Sequence, residues 1–189
     1  MLTESQIKAA AQSVGIEPAS VHAVLAVESS GKGFWVVDGA KVPIVNFEAQ
    51  WFHRLTNGRF SASHPDLSMP KGMDRLFGPG EWHRYRAACK LDETAAMKST
   101  SFGLFQIMGF NHALCGYPSV QEFVRAMSTS EEDQLRAFLG FVQGKGLIPA
   151  LRARDWKTFA RVYNGPNYQV NNYDVRLEKA YRAAGGVQS

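Results

Sequence analysis

Val21-His22-Ala23-Val24-Leu25-Ala26-Val27-Glu28-Ser29-Ser30-Gly31 is the stretch around which the rest of the chain organises. Val21, Val24, Leu25 and Glu28 stand at i, i+3, i+4 and i+7, the spacing that lines side chains along one face of a helix. Three of the four are aliphatic, so the face is core-directed and the carboxyl group at its end is at least partly desolvated. Desolvation raises the pKa of a carboxyl group, and one still protonated near neutral pH can donate a proton to a leaving group. The competing reading is a buried structural carboxylate paired with an arginine. Pro18 suits the first turn of a helix over 18–30, and Gly31 and Gly33 supply its stop. The small residues after Glu28 let a bulky ligand approach.

Outward from this helix the 3.6-residue periodicity is frequent and the strand signal brief, which predicts an α+β, mainly α fold. Thr3 and Gln6 form a cap for a helix over 4–13. Phe34-Trp35-Val36-Val37, Asp38-Gly39 and Val42-Pro43-Ile44-Val45-Asn46-Phe47 predict a hairpin with a tight Asp-Gly turn, and Pro43 makes at least one of its strands an edge. Glu48 to Leu55 reads as helix. Residues 56–80, with Asn57-Gly58, Pro65, Pro70, Gly72 and Pro79-Gly80, read as a long irregular surface excursion. Helical patterns resume near 81–97, 102–108, 119–127, 131–144, 155–163 and 172–184. Arg176, Lys179 and Arg182 form a solvated polar face on the last of them.

A length of 189 residues without linker, repeat or low-complexity tract predicts one domain over 1–189. The net charge of +4, from 21 Lys and Arg against 17 Asp and Glu, favours anionic surroundings without choosing among them. The cations are dispersed and lack the interleaved aromatics of a nucleic-acid surface, so nucleic acid is not an expected partner. No signal peptide and no stretch approaching a transmembrane span is evident. Cys89 and Cys115 lack metal-ligand spacing and read as buried thiols, with a disulfide formed after release as the alternative. The five histidines show no paired spacing, and no phosphate loop or Gly-x-Ser-x-Gly is present, so no cofactor and no metal are expected.

Three segments carry chemistry together: Ala26 to Gly31 with its acid, Ser101-Phe102-Gly103-Leu104-Phe105-Gln106-Ile107, and Ala160-Arg161-Val162-Tyr163-Asn164-Gly165-Pro166. In the second, Ser101 suits a helix cap and Gly103 leaves the backbone open, presenting Gln106 as an amide that can donate and accept. The third ends a helix in a turn bearing a phenol and an amide. Their order resembles the lysozyme-like superfamily, particularly goose-type lysozymes and soluble lytic transglycosylases. More closely, Asn46-Phe47-Glu48 leading into Trp51-Phe52-His53-Arg54-Leu55, with 101–111 and Tyr163-Asn164-Gly165-Pro166-x-Tyr168, is similar to the N-acetylmuramidase domain of phage endolysins, from about residue 15 to residue 184.

The resemblance implies a lysozyme-like fold with a small β-sheet beside a helical lobe and a cleft between them. It also implies cleavage of the β-1,4 bond between N-acetylmuramic acid and N-acetylglucosamine in peptidoglycan, with Glu28 as general acid. Such endolysins commonly carry a separate wall-binding module ahead of the catalytic domain, and this chain is expected to lack one. A glycosidase of this kind usually needs a second carboxylate. Glu48, just beyond the second strand, is the candidate, against the alternative that it merely begins a helix. Asp38 is explained by its turn, Asp66 and Asp74 lie in the excursion, and Glu93 reads as surface. Gln106, Tyr163, Asn164, Ser101 and Tyr168 are the expected substrate-binding residues, with the Tyr163 hydroxyl orienting Glu28 or a water, against the alternative of an ordinary core tyrosine at a helix end. Phe34, Trp35 and Phe105 are further candidates for lining subsites, with core positions as the alternative.

The leading expectation is therefore a monomeric muramidase made in a host cytoplasm and released to the wall by a holin, with a milder contact of Arg176, Lys179 and Arg182 on an anionic outer-membrane surface. Two alternatives stand beside it: a lytic transglycosylase forming 1,6-anhydro ends, for which one acid suffices, and a catalytically silent glycan-binding or virion protein.

Overall fold

The computed structural model describes residues 1–29, 31–71 and 78–186; Ser30, Gly72 and Asp74 lie outside the described residues. Helix α1 (Glu4–Val14) opens with the expected reciprocal cap, Thr3 N–H donating to Gln6 Oε1 at 2.9 Å and Gln6 N–H donating to Thr3 Oγ1 at 3.3 Å. Helix α2 (Pro18–Glu28) starts on its proline and buries Val21, Val24 and Leu25, with Ser20 and Ala23 buried as well. It is enclosed on most sides, with Pro18, His22, Val27 and Glu28 half-buried and Ala26 exposed.

The hairpin forms as expected from β1 (Phe34–Val37) and β2 (Ala40–Pro43). Asp38 and Gly39 adopt φ of 50° and 77°, the left-handed pair a tight hairpin turn requires. The expected second strand, however, is two. Ile44 N–H donates to Gly33 O at 3.0 Å and Ile44 O accepts from Gly103 N–H at 2.7 Å, so the chain crosses between sheets at this residue. Beyond it β3 (Val45–Phe47) pairs antiparallel with β4 (Thr100–Phe102), which pairs with β5 (Ile107–Met108). The helix expected over 102–108 is therefore strand, turn and strand, and Ser101 caps nothing. A short apolar run satisfies both periodicities, and the partner strand decides between them.

Glu48 N-caps α3 (Ala49–Leu55). Part of the excursion after α3 packs inward, with Leu67 and Ser68 buried and Phe60 stacked on Phe52 at 5.7 Å, while Asn57, Arg59, Pro65 and Asp66 are exposed. The single helix expected over 81–97 is broken into α4 (Pro79–Leu91) and α5 (Glu93–Lys98) by Asp92, whose extended backbone (φ −157°) ends one while its side chain caps the next. Helices α6 (Val120–Thr129), α7 (Glu131–Gly144) and α9 (Trp156–Tyr163) follow their caps Ser119, Ser130 and Asp155, and α8 (Ile148–Ala153) is unannounced by the sequence pattern. The chain closes with α10 (Tyr173–Ala183), which packs against α2 through a face containing buried Leu177 and Tyr181. The architecture is mainly helical, with small antiparallel sheets beside the helical body.

Candidate active site

Glu28 is the last residue of α2 and half-buried. Asn164, the residue that ends α9, donates from Nδ2 to Glu28 Oε1 at 2.8 Å, joining positions 136 apart in sequence. The Asn164 Oδ1 atom is buried and has no hydrogen-bond partner among the described residues. An amide with one end on the acid and the other uncommitted can follow the carboxyl group through a change of protonation.

Tyr163 makes a contact that the sequence does not announce. Its hydroxyl donates to the carbonyl of Phe105 at 2.7 Å, so it ties the end of α9 to the 103–106 turn. The ring is held by Phe159, stacked at 5.0 Å, and by Phe141 edge-on at 5.4 Å. Burial pushes the phenol well above its ordinary pKa, and the nearby Glu28 charge adds to the shift, so this hydroxyl stays a donor.

The turn it holds presents Gln106 with φ 48°, a left-handed conformation unusual for glutamine. The side chain is fixed at both ends: Gln106 Oε1 accepts from Ser101 Oγ at 3.0 Å, and Gln106 Nε2 donates to Gly103 O at 2.9 Å. A residue the sequence did not single out organises the turn from behind. Gln134, 1% exposed on α7, accepts Leu104 N–H at 2.8 Å through Oε1 and donates from Nε2 to Met127 O at 2.8 Å and Gly33 O at 3.4 Å. One turn earlier Glu131 Oε1 accepts Gly33 N–H at 3.2 Å. The start of α7 thus grips the segment that follows Glu28 and the segment that precedes Gln106. Both contacts need glycine, since a Cβ on Gly33 or Gly103 would stand 2.6 or 2.5 Å from Gln134 atoms.

On the sheet side, Asn46, Ser101 and Met108 are cross-strand neighbours on one face, and Glu48 follows Asn46 by two residues. Asn46 Nδ2 donates to Glu48 Oε1 at 2.6 Å, fixing a half-buried carboxylate at the end of β3 although it makes no helix-capping bond. Glu48 is thus both the residue that begins a helix and a carboxylate set on the polar face of the sheet. Behind it, Glu81, 2% exposed, accepts Phe47 N–H at 3.1 Å and pairs with Arg84 at 3.1 Å, which pins β3 to α4.

Other expected residues lie elsewhere. Tyr168 is buried in the core rather than lining an open site, and Phe105 is buried and stacked on Phe138 at 4.3 Å. Trp35 packs on the core edge, and Phe34 is covered by Lys41 at 4.0 Å. Asp38 occupies the exposed hairpin turn, while Asp66 and Glu93 are exposed. Among the described residues no group of three or more His, Cys, Asp or Glu side chains could hold a metal. Asn46 was within reach of sequence reasoning, since it alternates with Glu48 along the strand. Gln134 and Glu131 were not, because polar residues in a first helical turn read as solvent-facing.

A family model described as N-acetylmuramidase matches residues 17–185. The crystal structure of the Burkholderia AP3 phage endolysin superimposes with a TM-score of 0.84 at 36% identity, over 97% of this chain and 71% of that one. No curated protein matches the chain.

Proposed function

The chain belongs to the N-acetylmuramidase family, and on that premise we propose that Glu28 is the acid with which it cleaves the β-1,4 bond between N-acetylmuramic acid and N-acetylglucosamine. It is a peptidoglycan hydrolase of the phage endolysin type. The observation that carries the assignment is convergence. Three segments remote in sequence meet through Asn164 on Glu28 and Tyr163 on the turn of Gln106.

Glu28 protonates the glycosidic oxygen as the bond to the muramic carbon breaks, and Asn164 keeps its carboxyl group aimed. Glu48, held by Asn46, faces the developing oxocarbenium ion or takes a proton from the attacking water. Gln106 offers a rigid amide for a sugar hydroxyl or acetamido group, with Ser101 fixing its orientation. Tyr163 supports this from beneath. Every one of these groups comes from one chain, so a monomer suffices.

The test is mass spectrometry of the soluble products released from purified peptidoglycan. Fragments ending in reducing N-acetylmuramic acid, absent with Glu28→Gln, are the expected result. Anhydro ends, lighter by one water, would replace hydrolysis with transglycosylation and leave Glu48 a structural residue. Glu48→Gln then separates the roles, with a loss of two orders of magnitude or more in rate expected if it serves the water or the cation.

Among the described residues no helix is long and apolar enough to cross a membrane. Release to the wall by a holin accounts for access to the substrate, and lysis of cells after holin expression tests it. Contact with an anionic outer-membrane surface rests on Arg176, Lys179 and Arg182, of which Arg176 also donates to Val27 O at 3.1 Å and Arg182 pairs with Glu178. Unchanged activity on permeabilised and intact cells after neutralising the three would remove that contact.

A further inference from the structure

We infer that Trp51, Arg54 and Phe110 form a ledge that binds the substrate beyond the catalytic groups, with Arg54 receiving a carboxylate of the peptide stems carried by the glycan. The inference rests on the muramidase reading and assigns residues that reading leaves unused.

Helix α3 turns Ala49 and Phe52 into the core, which leaves Trp51 half-buried and Arg54 and Leu55 outward. Phe110 follows β5 in a short 3-10 turn (Gly109–Asn111) and is 36% exposed. The Trp51 and Phe110 rings lie 5.0 Å apart, tilted by 57°, and the Arg54 guanidinium sits 5.1 Å from the Trp51 ring centre. Among the described residues Arg54 has no carboxylate partner. With one face on the indole, its N–H edge remains able to grip a carboxylate through two parallel bonds.

The strand register joins this ledge to the site. Phe47 pairs with Thr100 and Glu48 N–H donates to Ser99 O at 3.0 Å, so Glu48 marks one end of the sheet. Continuing β5 past Met108, which faces Ser101, brings Phe110 to that same end. Trp51 N–H donates to Glu48 O at 3.0 Å, one helical turn on. The opposite end carries the 103–106 turn, with Gln106 and Tyr163. A path from Gln106 to the ledge therefore covers about three strand residues, roughly 10 Å, and one helical turn, about 5 Å.

A polymer cut beside Glu28 has rings to place along that path. Aromatic rings suit the C–H faces of sugars, and an unpaired cation suits the carboxylates that peptide stems carry. The net charge of +4 points the same way.

The test uses soluble glycan chains with stems intact or removed by an amidase, and the exposed-site variants Arg54→Gln and Phe110→Ala, each checked for parental Tm and circular dichroism. Arg54→Gln is expected to lower kcat/KM about tenfold on stem-bearing chains and far less on stripped chains. Phe110→Ala is expected to lower both by a similar factor, through KM rather than kcat. If Arg54→Gln keeps the parental ratio between the two substrates, the carboxylate contact is wrong. Parental kinetics for both variants would remove the ledge altogether while leaving the muramidase standing. A parent that cleaves neither chain would instead overturn the muramidase reading, and the ledge with it.

Discussion

Tyr163 shows how one hydroxyl can join segments remote in sequence. Its hydroxyl ties the end of α9 to the Phe105 carbonyl, in the same turn that holds Gln106 at φ 48°. Tyr163→Phe leaves that carbonyl without its partner, which costs about 1–3 kcal/mol, and it frees the turn to relax. The expected result is a lowered urea midpoint together with a kcat reduced about tenfold or more. The pH dependence has a definite sign. The folded-state pKa is raised above the ordinary value of 10.0, so the unfolded chain ionises first. The stability the phenol contributes is fully present below pH 10 and is lost as pH rises toward the folded-state value. The gap between parent and Tyr163→Phe should therefore narrow on the alkaline side of pH 10, measured by denaturation from neutral pH upward. A gap constant across that range would show that the phenol is not kept neutral by the fold.

At the scale of elements, two devices place the site, and they differ in how they could have been foreseen. Asp155 caps α9, accepting Thr158 N–H at 3.0 Å, and a hydrogen bond from the Thr158 side chain, together with that backbone bond, holds its carboxyl below the usual range. Asp155→Ala should cost about 1 kcal/mol at neutral pH. Because the folded pKa is depressed, the contribution is present above the ordinary 3.8 and disappears as pH falls below it, so thermal unfolding of parent and variant should converge in acid. The helix it caps was legible over 155–163 from its own periodicity, and the structure places Asp155 just ahead of its first turn. Gln134 was not, and neither was the sheet it braces: Phe47 of β3 pairs with Thr100, and no local periodicity reports a pairing so far along the chain. Gln134→Met keeps the volume but leaves Leu104 N–H and Met127 O without partners in a buried place. Its activity should fall about tenfold or more. If Gln134 works by setting the turn, then Gln106→Ala combined with Gln134→Met should be little worse than the poorer single variant. Multiplying losses would mean that Gln134 only supports the fold. Thus the legible elements are those whose start, face and stop lie within one helix, and the illegible ones depend on a partner far along the chain.

For the whole molecule, the decisive fact is that the helix ending in Glu28 is covered by the last helix of the chain. Helix α2 is apolar on most sides, which made its core position readable from Val21, Val24 and Leu25, yet nothing local says what covers it. Helix α10 does so, burying Leu177 and Tyr181. Further ties point the same way: Arg176 donates to Val27 O at 3.1 Å, one residue before the acid, and the Tyr181 hydroxyl donates to Glu17, the residue before α2. Losing a buried leucine costs about 2–5 kcal/mol and a large buried aromatic about 3–5. Together these approach the whole stability of an ordinary domain, about 5–15 kcal/mol. Removing residues 173–189 should therefore abolish cooperative unfolding and wall lysis together, even though neither Glu28 nor Glu48 is touched. Leu177→Ala, the milder form, should lower Tm while leaving kcat near the parental value at 25 °C, since the contact lies behind α2 and not on Glu28. A truncated chain that still melts in one sharp transition would show that α2 is held by the rest of the body alone. It would also make α10 a removable cover rather than part of the core.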